Sequence, residues 1–131
     1  MKALLLATMV SVLTITNARC ATLDAAGAGK IMSKSGCVTC HHIENTKIGP
    51  AYKDVAQRYA KLSPETLAYL NGEKPLDYLM KKVRTGTKIK LNKNWIKAPT
   101  GKPYGMMTPN PVSKISDENL KDLLTYILSL K

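Results

Sequence analysis

The residues of this sequence best suited to chemistry are two cysteines and a histidine that lie within one short run. The run reads Cys37-Val38-Thr39-Cys40-His41. Two thiols separated by two residues fit a redox-active dithiol or half of a zinc site. Because a histidine follows directly, they also fit the covalent attachment of a haem. These three kinds of site need different surroundings, so the rest of the sequence distinguishes between them.

The surroundings of the run favour haem attachment. A redox dithiol is typical of a strand-to-helix junction, and no strand pattern precedes Cys37. A zinc site needs a second pair of ligands, and His42 is the only other histidine. In haem attachment both thiols bond to vinyl groups at one edge of the ring while the histidine reaches the iron, which requires this spacing. We therefore expect one covalent haem c, attached through Cys37 and Cys40, with His41 as an axial ligand.

The N-terminus has the composition of a secretory signal peptide. A lysine precedes an uncharged, largely apolar stretch at positions 3–15, which is too short to span a bilayer. Small residues near position 20 predict cleavage after Cys20. The signal peptide is then residues 1–20, the mature monohaem domain is residues 21–131, and the protein is periplasmic. Acylation of Cys20 is the alternative, although Arg19 stands where a lipoprotein signal has a small residue.

Composition limits the remaining possibilities. The 131 residues suit one domain, which lacks phenylalanine and has one tryptophan and six tyrosines, so we expect a large apolar cofactor to fill much of the core. The signal peptide holds two basic residues and no acidic one, so the mature chain keeps 18 basic and 9 acidic side chains, a net charge of +9. The net charge alone would suit binding to nucleic acid, but an exported haem protein does not encounter nucleic acid. No later segment is predicted to span a membrane.

Three segments resemble the small bacterial class I cytochromes c. They are Gly-Cys-Val-Thr-Cys-His at 36–41, Lys-Ile-Gly-Pro-Ala-Tyr-Lys-Asp-Val-Ala at 47–56 and Met-Thr-Pro-Asn at 107–110. The resemblance covers most of residues 28–60 and 105–131. It implies an all-α class I cytochrome c fold, in which four to five helices surround one covalent haem beside a long irregular loop carrying a methionine ligand. Members of this family are monohaem, His/Met-ligated periplasmic electron carriers.

A methionine in the irregular segment is expected to supply the second axial ligand. Of the six methionines, two lie in the signal peptide and two in predicted helices, which leaves Met106 and Met107. The match to the family's Met-Pro-Pro-Asn sequence favours Met107 as the ligand. The alternative is that both side chains only pack in the core and that the iron is open or ligated by a second histidine.

The resemblance also implies roles for a proline, a tryptophan and a glycine. Pro50 corresponds to the proline whose carbonyl accepts the Nδ1–H of the haem-ligating histidine, although it could be only a turn residue. Trp95 is similar in placement to the tryptophan that donates its indole N–H to a haem propionate, with an exposed loop residue as the alternative. Gly29 is expected to let the first and last helices cross closely.

Capping residues, prolines and apolar periodicity predict the helices. They run from Thr22 or Asp24 to Ser35, from Tyr52 to Ala60, from Pro64 onward, from Pro75 to Val83 with an end near Gly86, and from Ser116 to Leu130. From Thr87 to Pro103 no periodicity holds, which predicts a loop.

Two strong axial ligands leave no open coordination position for a substrate, which favours an electron carrier over an enzyme. The alternative is a dedicated haem subunit bound to one periplasmic oxidoreductase. We expect a monomer whose redox partners present acidic docking surfaces. This expectation depends on five lysines that no acidic residue separates: Lys88, Lys90, Lys93, Lys97 and Lys102. A solvated loop without a docking role is equally consistent with them.

Overall fold

The described part of the chain is helical. A computed structural model describes residues 22–87 and 104–131, and within these ranges the chain forms five α-helices, one 3₁₀ helix and no strand. The elements are α1 (Ala25–Lys34), a 3₁₀ helix (Cys37–Thr39), α2 (Tyr52–Lys61), α3 (Pro64–Leu70), α4 (Pro75–Thr85) and α5 (Asp117–Leu128). The predicted all-α fold class is confirmed. Trp95, the lysine-rich loop and the signal peptide lie outside the described residues.

Local chemistry sets the helix termini. The side-chain oxygens of Asp24, Ser63 and Ser116 accept hydrogen bonds from first-turn N–H groups of α1, α3 and α5. Prolines occupy the first turns of α3 and α4, where a missing N–H costs nothing. Gly36 and Gly86 follow α1 and α4 with φ of 71° and 69°. The predicted helices therefore agree with the structure to within a few residues at each end.

Helix α5 supplies the centre of the core. Its apolar stripe consists of Leu120, Leu123, Leu124 and Ile127, each at most 5% exposed, and it packs against α1, α2 and α4. Burying a side chain of this size contributes about 1.5–3 kcal/mol, so α5 holds the other helices in place. None of the described helices is long and apolar enough to cross a membrane.

The buried small residue of α1 is Ala28 and not Gly29. Ala28 is fully buried, whereas a Cβ added to Gly29 would meet no atom within 4 Å among the described residues. The expectation that Gly29 lets the first and last helices approach was wrong by one position. Each step along a helix rotates the side-chain direction by about 100°, so one position is enough to change the face.

Arg84 connects the C-terminal end of α4 to two other segments. Its Nη2 lies 2.6 Å from Asp117 Oδ1 at the start of α5, and its Nη1 donates to the Asn110 carbonyl at 2.9 Å. The Arg84 side chain is 20% exposed but that of Asp117 is 68% exposed, so the ion pair itself contributes little, and the part-buried bond to the Asn110 carbonyl is the better protected contact. The segment that carries Met107 is thereby fixed relative to α4 and α5.

Replacing Gly86 and Gly29 by alanine should have opposite effects. A Cβ on Gly86 would lie 2.5 Å from the Met107 carbonyl oxygen, at a φ that other residues rarely adopt. We expect Gly86→Ala to lower the free energy of unfolding by about 2 kcal/mol or more. Gly29→Ala meets no obstacle in α1 and should raise it by roughly 0.5–1 kcal/mol. Denaturant titration of the two variants tests this, and equal effects would contradict the packing described for α4.

Candidate haem-binding site

An apolar cavity lies between α2, α4, α5 and the segment that precedes α5. It has a volume of about 190 Å³. Core side chains form much of its wall: Val55, Leu79, Val83, Leu120, Leu123, Leu124 and Ile127. A cavity with such a lining favours a large apolar ligand.

The 3₁₀ helix carries the cysteines and the histidine to one edge of this cavity. Gly36 turns the chain out of α1, and the His41 N–H then donates to the Cys37 carbonyl at 2.9 Å. This single tight turn brings Cys37, Cys40 and His41 to the cavity wall, each half-buried. Both thiols and the imidazole therefore face the same ligand volume.

The imidazole of His41 is held on three sides. Its Nδ1 lies 2.9 Å from the Pro50 carbonyl, which can only accept, so Nδ1 carries the proton. The ring stacks on Tyr52 with centroids 5.1 Å apart and planes 13° apart. On another side, a Cβ on Gly49 would lie 2.5 Å from His41 Cε1. These contacts leave Nε2 with its lone pair available to a metal.

The electrostatics of His41 agree with this geometry. Burial lowers the pKa of His41, and the hydrogen bond to the Pro50 carbonyl opposes that shift only in part. A lowered pKa keeps the imidazole neutral, which is the form that binds metals.

The thiol of Cys37 does not have the properties of a redox dithiol. Burial raises its pKa, although a hydrogen bond from the Tyr52 hydroxyl and the charge of Lys114 oppose the shift. A reactive thiol has a lowered pKa. Within residues 22–87 and 104–131, moreover, no group of three or more His, Cys, Asp or Glu side chains could hold a metal ion. Both alternatives to haem attachment are thus disfavoured.

The methionine pair lies on the same cavity. Met106 and Met107 both line it, but Met106 is 52% exposed whereas Met107 is half-buried. Thr87 binds the main chain of Met107 twice: its hydroxyl accepts from the Met107 N–H at 2.8 Å, and its own N–H donates to the Met107 carbonyl at 2.8 Å. Of the two, Met107 has the more tightly held backbone.

One cavity thus brings together five of the six residues predicted from the sequence, namely Cys37, Cys40, His41, Pro50 and Met107. The sixth, Trp95, lies outside the described residues, and its role stays a prediction.

Sequence reasoning did not identify Tyr52 or Thr87. Tyr52 lies inside a segment that carried the family resemblance, which was a usable signal. The contact of Thr87 depends on a partner 20 positions away, and no local pattern indicates such a contact.

The residues present suit a covalently attached haem. Two thiols lie at one edge of an apolar cavity, a neutral imidazole with Nε2 available lines the same cavity, and a thioether can approach from the methionine pair. Thioether and imidazole together are an established axial pair for haem iron.

Comparison with known proteins agrees with this chemistry. The sequence matches the family described as Cytochrome c over residues 25–131. It is 30% identical to cytochrome c-552 of Hydrogenobacter thermophilus over 103 residues, which is 78% of this chain and 80% of that protein.

Solved structures give the same result. The crystal structure of Nitrosomonas europaea cytochrome c552 superposes with a TM-score of 0.53 at 28% identity, covering 79% of this chain and 99% of that one. The class 1 cytochrome MtoD of Sideroxydans lithotrophicus gives a TM-score of 0.52 at 28% identity, covering 82% and 96%. The chain therefore belongs to the cytochrome c family: it is a small class I c-type cytochrome, an electron-transfer protein with one covalent haem c and not an enzyme.

Proposed function

We propose that this cytochrome carries single electrons between redox proteins in the periplasm. In this proposal Cys37 and Cys40 hold the haem, and His41 and Met107 are its axial ligands. The observation that carries the proposal is the cavity described above, since it gathers the attachment cysteines, the histidine and a loop-borne methionine around one apolar volume. The bound haem supplies an iron that accepts and releases one electron.

The protein's own contribution is to hold both ligands still. The Pro50 carbonyl and the Tyr52 ring fix the orientation of His41, and Thr87 fixes the main chain of Met107. Two fixed ligands leave no position for a substrate and require little rearrangement when the charge on the iron changes. A neutral sulfur donor also raises the reduction potential relative to a second histidine.

Replacement of each methionine tests the ligand assignment. In ferric Met107→Ala we expect loss of the weak sulfur-to-iron charge-transfer band and a lower reduction potential, because the thioether is removed. Met106→Ala is the matched control and should keep both, since its side chain is exposed. Absorption spectra and redox titration of the purified variants provide the measurement. A band that survives in Met107→Ala and disappears in Met106→Ala would reverse the assignment.

Export is part of the proposal. Residues 1–20 have the charge and apolar pattern of a signal peptide, and covalent haem attachment outside the cytoplasm agrees with it. Cleavage after Cys20 leaves a domain of residues 21–131. Cytochromes c-552 and c-551 of several bacteria are among the relatives, which supports the same compartment.

The surface around the attachment turn suits transient docking. Val38, Ile48 and Met106 expose apolar side chains there, each more than 40% exposed. Lys47 Nζ donates to the Val38 carbonyl at 2.8 Å, and Lys114 lines the cavity mouth, so positive charge borders this apolar surface. The lysine-rich stretch at 88–102 adds more positive charge to the chain. We propose that the protein is a monomer. We also propose that its partner presents carboxylates around its own redox centre.

Charge reversal tests the docking surface. We expect Lys47→Glu combined with Lys114→Glu to slow bimolecular electron transfer about tenfold at low ionic strength, because electrostatic steering is lost. The matched control is Lys61→Glu with Lys121→Glu, which changes the net charge equally but replaces neither the lysine bound to the Val38 carbonyl nor the lysine at the cavity mouth. Stopped-flow rates across a salt series give the result, and the reduction potential of each variant separates steering from driving force. The difference should shrink as the screening length falls to ~10 Å at 0.1 M salt.

Two results would contradict this docking surface. Equal slowing by the control pair would mean that net charge alone matters. Electron-transfer rates that change with neither salt nor charge reversal would favour a haem subunit in fixed contact with one oxidoreductase.

A further inference from the structure

We propose that Thr87 is a positioning residue that sets how often the methionine ligand leaves the iron. The inference rests on the proposed ligation by Met107. It goes beyond that ligation because it assigns control of the bond between iron and sulfur to a residue on a different segment, two positions after the end of α4.

The main chain of Met107 is bound at both of its polar atoms by one residue. The Thr87 hydroxyl accepts from the Met107 N–H at 2.8 Å, and the Thr87 N–H donates to the Met107 carbonyl at 2.8 Å. Thr87 is only 6% exposed, so water competes little for either bond. With its N–H and carbonyl both held, Met107 keeps freedom mainly in its side chain.

Neighbouring contacts make the end of α4 a rigid support for this pair. The Asn110 N–H donates to the Val83 carbonyl at 3.0 Å, and Arg84 Nη1 donates to the Asn110 carbonyl at 2.9 Å. On the other side of Met107, the Gly105 N–H donates to the Ile48 carbonyl at 2.8 Å. The methionine segment is therefore anchored on both sides, and Thr87 binds it at the ligand itself.

Of the two hydrogen bonds between Thr87 and Met107, only the one made by the Thr87 hydroxyl can be removed by a substitution, because the other joins main-chain atoms. Thr87→Val keeps the shape and the main-chain bond but leaves the Met107 N–H without its acceptor. A donor left unpaired in this part-buried position is costly, so states in which Met107 has moved away from the iron become more populated. Thr87→Ser retains the acceptor and is the matched control.

Binding of imidazole to the ferric protein measures this population. An added ligand reaches the iron only while the thioether is away, so its apparent dissociation constant is the intrinsic constant divided by the open fraction. The Met107→Ala variant, which has no thioether, provides the intrinsic constant. The ratio of the two constants gives the open fraction for each other variant.

We expect Thr87→Val to bind imidazole about tenfold more tightly than the unmodified protein, and Thr87→Ser to stay within about twofold of it. Denaturant unfolding of the same proteins supplies a second readout. Because Thr87 acts on the ligand and not only on the fold, the imidazole effect should persist in Thr87→Val at denaturant concentrations far below its unfolding transition.

Two further results would overturn the inference in distinguishable ways. If Met107→Ala binds imidazole much more tightly than the unmodified protein while Thr87→Val does not, the ligation stands and the role of Thr87 is wrong. If Met107→Ala and the unmodified protein bind imidazole equally, the ligation itself is wrong, and with it this inference.

Discussion

The structure depends on filling the apolar cavity at its centre. The side chains that form the core of α5 are also the wall of this cavity, so the core is incomplete without an occupant. A bound haem would cover this apolar lining, and covering one apolar side chain of this size contributes about 1.5–3 kcal/mol. The net stability of a small domain is only ~5–15 kcal/mol, so covering several of these side chains matters to the whole fold. We therefore expect folding of this chain to depend on covalent attachment of the haem.

The same constraint connects the fold to electron transfer. The turn at Cys37–Thr39 and the segment around Met107 reach the cavity from different parts of the chain, and each is fixed by neighbours outside it. Pro50 holds the imidazole of His41, and Thr87 holds the main chain of Met107. A metal bound between groups held in this way can change charge while its surroundings stay in place. The stability of the core and the low rearrangement needed for a carrier thus have one origin.

How far the sequence could predict this arrangement depended on the distance between interacting residues. Helix ends were predictable because capping by Asp24 and Ser116 acts within a few positions. The site at Cys37 to His41 was predictable for the same reason. The buried face of α1 was not predictable in the same way, because Gly29 and the buried Ala28 differ by only one position.

Contacts between distant positions were found only in the structure. The pairing of Thr87 with Met107 joins residues that no periodicity relates. The stacking of Tyr52 on His41 depends on how the chain turns at Gly49 and Pro50. The roles of Cys37, Cys40, His41, Pro50 and Met107 toward the haem are therefore geometrically supported proposals, and that of Trp95 stays a prediction.

The dependence of folding on haem can be measured directly. Residues 21–131, produced without haem attachment, can be compared with the haem-bound protein by near-ultraviolet circular dichroism and amide hydrogen exchange. The account predicts that the haem-free chain has weak near-ultraviolet signals, no cooperative unfolding transition and little protection of the α5 amides, because the cavity cannot be closed. A haem-free chain that unfolds cooperatively, with α5 amides protected as in the haem-bound protein, would contradict the central role assigned to the cavity.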